Sequence, residues 1–452
     1  MRREIRATVL AEDVIAEYQD ANNGSDPFWC FGSRTIARDD DTVYAAVPEV
    51  GAGVQPLCNT RWRLFARPDG GACAFARGGE VNEREPCPLA RLPGHRLLLS
   101  ANPAVKPRGT LPDGRLAHDC DPQLLVFDLQ DMTKPPAVVK PVWDRAYSFF
   151  EHSYRGLGVD HESGHILLTH QVAVDHEYNH AWSFLNADLN PVRQGLLRFP
   201  MRGCYQQVAV RGTAAYVMAI SDECEPNREW REFKDKAAAG WDFDFRQLYF
   251  TWTPDITRQD FSPPLTVASG DETAGHIRNV DMLIDAEGDA HLLFIQRTIW
   301  WPTLRDRFFP GMPITISLNY ARIHAGRVVA RKTIIEAVEH MEAPHVHPEK
   351  PWVLPVLPMK GPVPSDIGAV LHEMPDQRLL VIWHQTDGDE SGVFIRELGS
   401  DSSQVVRVPW KHPFETFVSA CKRAGTIPSP RVDLYGRHKQ EKIIRYAQME
   451  IG

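Results

Sequence analysis

The sequence predicts an all-β chain built from repeated four-stranded antiparallel units, and three observations carry that prediction. The first is composition: 35 Pro, 31 Gly, 20 Phe, 12 Trp and 11 Tyr in 452 residues. That balance suits many short strands joined by tight turns and packed through rings. The second is a recurring hairpin, in which a polar or glycine turn is followed by a run of apolar residues. The third is its spacing. The copies fall roughly 65 residues apart, the period of a unit that cannot bury both of its faces alone.

The hairpin occurs as ARDDDTVYAAVPE (37–49), LPGHRLLLSANP (92–103), VDHESGHILLTHQ (159–171), VRGTAAYVMAISD (210–222), IDAEGDAHLLFIQ (284–296) and EMPDQRLLVIWHQ (373–385). Later strands of these units read as TRWRLFAR (60–67), QLLVFDL (123–129), FRQLYFTW (245–252) and ISLNYARI (316–323). A seventh unit is suggested by SPRVDLYGRHKQEKIIRYAQMEI (429–451), two strands around a charged turn. Seven units account for the whole chain, so the expected architecture is a seven-bladed β-propeller forming one domain over 1–452. The N-terminal REIRATVLAE is expected to pair with the C-terminal KIIRYAQMEI, closing the ring so that no strand edge stays open. Two segments break the pattern. A helical insertion is expected over about 226–240, where REWREFKDKAAA supplies good helix formers and Gly240 a stop. The Pro-rich stretch 340–366 reads as a long loop.

Composition also excludes several classes. The net charge of −9, with both signs interspersed, offers no basic stripe for nucleic acid. No apolar run approaches the ~18 residues of a membrane helix. The basic start MRREIRATVLAEDVIAEYQD is interrupted by Glu12 and Asp13 before an apolar signal core forms. The chain as given therefore reads as cytoplasmic, or as secreted or periplasmic with its signal removed. Eight cysteines without a CxxC are too few for a disulfide scaffold and fit no zinc ribbon. Cys30 and Cys58 are candidates for neighbours on adjacent strands, although buried free thiols are the commoner state.

In a propeller the innermost strands begin near the central channel, so ligands meet those strand starts. These positions carry Trp29 and Arg34; Arg84 and Glu85; His152, Tyr154 and Arg155; Arg202 and Tyr205; His276, Asn279 and Asp281; Asp366; and Arg431 and Asp433. Arginine at five starts points to an anionic ligand, because a guanidinium holds a carboxylate through two parallel hydrogen bonds. The richest string is FFEHSYRGLG (149–158), where a strand period of two would put His152 and Tyr154 on one face. A histidine and tyrosine beside arginines fit β-elimination from a uronate. Arginine offsets the carboxylate charge, a base takes the C5 proton, and a phenol protonates the departing oxygen. Trp300 and Trp301 are candidates for a sugar-stacking platform or for a hydrophobic plug. The histidines at 161, 165, 170, 176 and 180, and those at 340, 345 and 347, fit no zinc spacing; a structural calcium or zinc ion is left open. There is no GxSxG, GxGxxG or phosphate loop. Glu85 with Asp281 or Glu225 offers a carboxylate pair for a hydrolase.

The strings SDPFWCFGSRTIAR, CNTRWRL, REPCPLA, EHSYRGLG, RGCYQQVA, DAEGDAHLLF and VDLYG…IRYAQMEI resemble the BNR-type (sialidase-repeat-like) seven-bladed propellers, on the polysaccharide lyase branch that includes ulvan and rhamnose–glucuronate lyases. The resemblance implies His152, Tyr154 and Tyr205 as catalytic residues. It implies Arg155 and Arg202 on the uronate carboxylate. The strand-start residues Arg84, His276 and Asn279, with Trp300 and Trp301, are expected as further substrate contacts. Two departures stand out. The sialidase box SxDxGxTW is absent, and no histidine precedes His95 to match one early in the first blade. The expected function is a polysaccharide lyase acting on an anionic oligo- or polysaccharide as a monomer or weak homodimer. The alternatives are a hydrolase of the same fold or a non-catalytic glycan-binding propeller.

Overall fold

The computed structural model describes residues 4–29, 33–237, 243–339, 359–388, 390–399, 404–438 and 441–452. Among these residues the chain is all-β with two short α-helices, α1 (Arg228–Ala237) and α2 (Pro302–Phe308). Among the described residues, seven sheets of four or five antiparallel strands follow one another. Their first strands are Ile36–Asp39, Leu89–Leu92, Gly156–Val159, Gly203–Arg211, His276–Ile284, Val363–Glu373 and Thr416–Ser419. Each of these strands touches the next, and the last returns to the first, so the sheets stand in a ring. This is the arrangement of a β-propeller.

All six recurring hairpins are the first two strands of a sheet, as in Ile36–Asp39 with Thr42–Val50 and His276–Ile284 with Ala290–Arg297. The expected terminal pairing is also present. Ala7–Glu17 runs antiparallel to Ile443–Ile451, so one sheet is shared by both ends of the chain. The alternating strands bury apolar residues between neighbouring sheets. One such layer packs Met218, Ile220 and Phe250 of one sheet against Ile277, Met282 and Leu292 of the next.

Three features differ from the expectation. The seventh sheet starts at Thr416–Ser419, so Arg431 and Asp433 lie on its second strand rather than at a channel mouth. Asp433 pairs instead with Arg38, at the far end of the first sheet's inner strand. An additional three-stranded sheet (Ala104–Thr110, Leu116–Cys120, Phe149–Phe150) stands outside the ring. Its residues are mostly exposed or half-exposed, so no core periodicity announced it. The expected loop over 340–366 lies outside the described residues as far as 358, and from Val363 onward the backbone is strand. The helix does form inside 226–240, and residues 238–240 lie outside the description. Cys30 is likewise outside it, while Cys58 is a buried free thiol with Cys120 as its hydrogen-bonding neighbour.

The segment after Thr416–Ser419 ties the ring together from within. The carbonyl of Arg423 accepts from Val159 N at 2.8 Å, and that of Ala424 from Arg91 N at 2.8 Å. One short turn thus reaches the inner strands of the second and third sheets. Gly425 makes this approach possible: its φ is +76°, and a Cβ there would lie 2.0 Å from the Arg91 carbonyl oxygen. Gly425→Ala is therefore expected to destabilise the protein by more than the ~1 kcal/mol typical of a glycine substitution. Chemical denaturation would check this, with Gly212→Ala, whose Cβ meets nothing within 4 Å, as the control.

Candidate active site

The residues before three adjacent inner strands converge. Glu85 precedes Leu89–Leu92 and its side chain is almost completely buried. Its Oε1 accepts from the backbone N of Ser153 at 3.2 Å and lies 3.1 Å from His152 Nδ1. Its Oε2 accepts from the Ser153 hydroxyl at 2.6 Å. Burial alone would favour the neutral acid. The hydrogen bond and charge of His152, followed by Arg155 and Arg84, outweigh it and hold the carboxyl at about 2. An ionised carboxylate only accepts, so His152 Nδ1 donates to it, and in the neutral ring Nε2 is the nitrogen that keeps the lone pair.

Around His152 lies a closed group of rings. Its ring centroid is 4.2 Å from that of Tyr154 and 6.0 Å from that of Trp29. Tyr205 sits 4.8 Å from Tyr154 and 5.7 Å from Trp29. His152 and Tyr154 do share a face, but not through a strand. Tyr154 has φ 38° and Tyr205 φ 50°, both in the left-handed region that aromatic residues avoid. Each twist turns a ring towards the shared centre. The inner strands that begin at Gly203 and His276 both shift register nearby, between Cys204 and Gln207 and between Asn279 and Asp281. Such bulges re-aim side chains at the ends of strands.

The Tyr154 hydroxyl donates to Asp222 at 3.1 Å, and Arg202 Nε lies 3.5 Å from the same carboxylate oxygen. The Arg202 guanidinium also covers Tyr154 at 5.4 Å and the exposed Tyr178 ring at 4.6 Å. Burial pushes the Tyr154 phenol well up, aided by Tyr205, Cys204 and Asp222 and opposed by Arg202, so it stays protonated at neutral pH. On the other flank Tyr205 leads through Phe245 to His276, which stacks on Trp300 at 3.6 Å and 11°. Burial, then the charges of Arg278, Arg246, Arg297 and Lys234, keep His276 neutral.

His152, Tyr154, Tyr205, Arg202, His276 and Trp300 therefore lie along one continuous set of contacts. Four candidates do something else. Arg155 is buried and directed inward, its Nη2 donating to the carbonyls of Pro86 at 3.0 Å and Glu85 at 3.2 Å and pairing with Glu83 at 3.4 Å. It braces the Glu83–Cys87 turn and cannot reach a ligand carboxylate without leaving that turn. Asn279 is fully buried and donates to the Tyr205 carbonyl at 2.6 Å, holding the left-handed backbone there. Arg84 donates through Nε to the Asn23 carbonyl at 3.1 Å, tying the turn before Trp29 to the Glu85 segment. Trp301 is buried in a plug with Leu304, Ile314 and the partly buried Trp230 and Phe308 beneath α1 and α2, and presents no sugar platform.

Each member of the proposed carboxylate pairs is engaged by its own neighbours. Glu225 lies in a buried cluster with Arg246, Lys234 and Asp244, and Asp281 is paired with Arg34. A general acid needs a raised pKa; Glu85 is held far below neutrality, whereas burial raises Glu225. Among the described residues, the one grouping of three metal-type ligands is Asp39, Asp40 and His95, where Arg91 already occupies Asp39 at 2.8 Å. His165 and His180 bond backbone carbonyls at 2.7 and 2.9 Å rather than meeting at an ion. Asp222 was missed in the sequence, yet a register signal existed. Ser221 pairs with Gly203, so the residue after that strand falls opposite the Arg202 carbonyl.

No family model matches the chain, and no curated protein matches it. Among solved structures it is similar to polysaccharide lyase Uly1, at 11% identity and a TM-score of 0.48 over 92% of this chain and 89% of that one. A Dyadobacter fermentans protein of unknown function gives 11% identity and a TM-score of 0.45, over 99% of both chains. An α-L-arabinanase from Penicillium chrysogenum gives 10% and 0.40, over 80% of this chain and 92% of that one. Identities this low transfer no chemistry. No helix among the described residues is long and apolar enough to cross a membrane.

Glu85 sets a pH dependence whose sign is fixed. Its folded pKa, about 2, lies below the ordinary 4.5, so its stabilisation is present above pH 4.5 and is lost as pH falls towards 2. That difference corresponds to about 3 kcal/mol. Urea denaturation between pH 6 and pH 2.5 should show this loss in the native protein. Glu85→Gln should be less stable at pH 6 and flatter towards acid.

Proposed function

We propose that the chain is a seven-bladed propeller enzyme that cleaves a uronate-containing glycan by β-elimination. The observation that carries this reading is the contact group of His152, Tyr154 and Tyr205 with His152 fixed through Glu85. It supplies an oriented base and protonated phenols around one centre. In the reaction His152 Nε2 removes the proton from C5 of the uronate. The electron pair forms the C4–C5 double bond, the C4–O bond breaks, and a phenol protonates the departing oxygen. Tyr154, whose hydroxyl bonds Asp222, or Tyr205, whose ring lies 4.8 Å from it, delivers that proton in this reading. Arg202, at the half-buried edge of the group, offsets the charge that develops on the carboxylate.

The outer contacts suit a chain-like ligand. Arg108 covers Phe150 at 5.9 Å, Phe150 meets Tyr178 at 6.2 Å, and Tyr178 lies under Arg202. Two cations at either end of a pair of rings, running from the outer three-stranded sheet to Arg202, suit a polymer that carries carboxylates beside sugar faces.

Incubation with a panel of uronate polysaccharides should produce the ultraviolet absorbance of a conjugated unsaturated uronate. His152→Ala should lower kcat by about 10²–10⁴-fold, and so should Tyr154→Phe or Tyr205→Phe, whichever removes the acid. Saturated products alone, no product from any member of the panel, or full activity in His152→Ala would overturn the assignment.

A further inference from the structure

We propose that the centre of the propeller channel binds a small monovalent anion of halide size between Arg34 and Arg423, a site separate from the one described above. Arg34 stands just before the first sheet's inner strand, and Arg423 lies on the turn that crosses from the seventh sheet to the second and third. Both side chains are only 2% exposed. They meet a single carboxylate, Asp281 of the fifth sheet. Arg34 bonds its Oδ1 through Nη2, and Arg423 Nε lies 3.5 Å from the same oxygen.

Asp281 has little left to give. Its Oδ1 also accepts from the backbone N of Met282 at 2.8 Å, and its Oδ2 from that of Leu371 at 2.8 Å. Cys421 is the other hydrogen-bonding neighbour of Arg34. Among the described residues, Arg34 Nε and both Nη atoms of Arg423 have no acceptor. Two buried guanidiniums thus share one carboxylate, which leaves one positive charge and these N–H donors unanswered. A buried charge without a partner is among the costliest groups a fold can hold, and a guanidinium does not escape by losing its proton near neutrality. Burial and the proximity of Arg34 lower Arg423 only to about 10, which leaves it charged.

A water molecule would satisfy some of these donors but not the charge. One halide supplies an acceptor for all three nitrogens and brings the cluster to neutrality. Its place also gives it a task. It joins the first sheet, the fifth sheet through Asp281, and the crossing turn that carries Gly425.

The test uses the whole protein exchanged into gluconate buffer and titrated with sodium chloride or bromide at constant ionic strength. The native protein should show a saturable rise in Tm of about 2–4 °C. Cys421→Ser should keep that rise, and Arg423→Gln should lose it. Should Arg423→Gln not fold, Arg423→Lys keeps the charge but not the fork, and should need at least tenfold more halide for half the effect. Bromide soaked into crystals should give anomalous density within hydrogen-bonding reach of Arg34 and Arg423. A native Tm indifferent to halide, an undiminished rise in the Arg423 variant, or bromide density only elsewhere would each overturn the proposal.

Discussion

One buried carboxylate organises the candidate site. Glu85 lies in the turn before the second inner strand and binds three groups from the segment before the third: the ring of His152, and the backbone N and hydroxyl of Ser153. Arg155, two residues further on, reaches back to brace the same turn. The exchange between these two segments fixes the His152 ring before any ligand arrives. Because the carboxylate is ionised it accepts only, and that property chooses which histidine nitrogen is basic. The order of dependence runs from burial and charge at Glu85, to the tautomer at His152, to the chemistry proposed for it.

The second dependence is strain. Tyr154 and Tyr205 hold left-handed backbone that costs each of them about 1–3 kcal/mol. The surroundings over-determine both. Asp222 takes the Tyr154 hydroxyl, and Asn279 takes the Tyr205 carbonyl. Neither partner needs to touch a ligand, yet each decides where a phenol points. Asn279 and Arg155 thus belong to the site as positioning residues, which explains why polar residues at strand starts divide between those facing the centre and those behind it.

Much of the fold was legible because a propeller repeats its pattern. The turn-and-strand hairpin marks the first two strands in six sheets, and the terminal strands share an apolar alternation that pairs them. The seventh inner strand was hidden because no short turn joins Thr416–Ser419 to its partner: the long segment 420–430 separates it from Arg431–Arg437. The outer sheet was hidden because most of its residues are exposed or half-exposed, and among them Phe149 is what joins a hydrophobic cluster. At the site, the residue types and their convergence could be read, but the direction of each side chain could not. Arg155 and Arg202 look alike in sequence. A left-handed Tyr154 and the carbonyls of Glu85 and Pro86 separate them, and neither feature leaves a trace in composition or period. Trp300 and Trp301 are parted in the same way: one stacks on His276, and the other immediately precedes α2 and sinks into the plug.

The central claim is that Glu85 fixes the His152 tautomer, and nitrogen NMR of the histidine rings reads that directly. At neutral pH the ¹⁵N shifts and long-range proton couplings of His152 should show a protonated Nδ1 and an unprotonated Nε2, and Glu85→Gln should allow both tautomers. A His152 protonated on Nε2 in the native protein, or a tautomer indifferent to Glu85→Gln, would contradict the account.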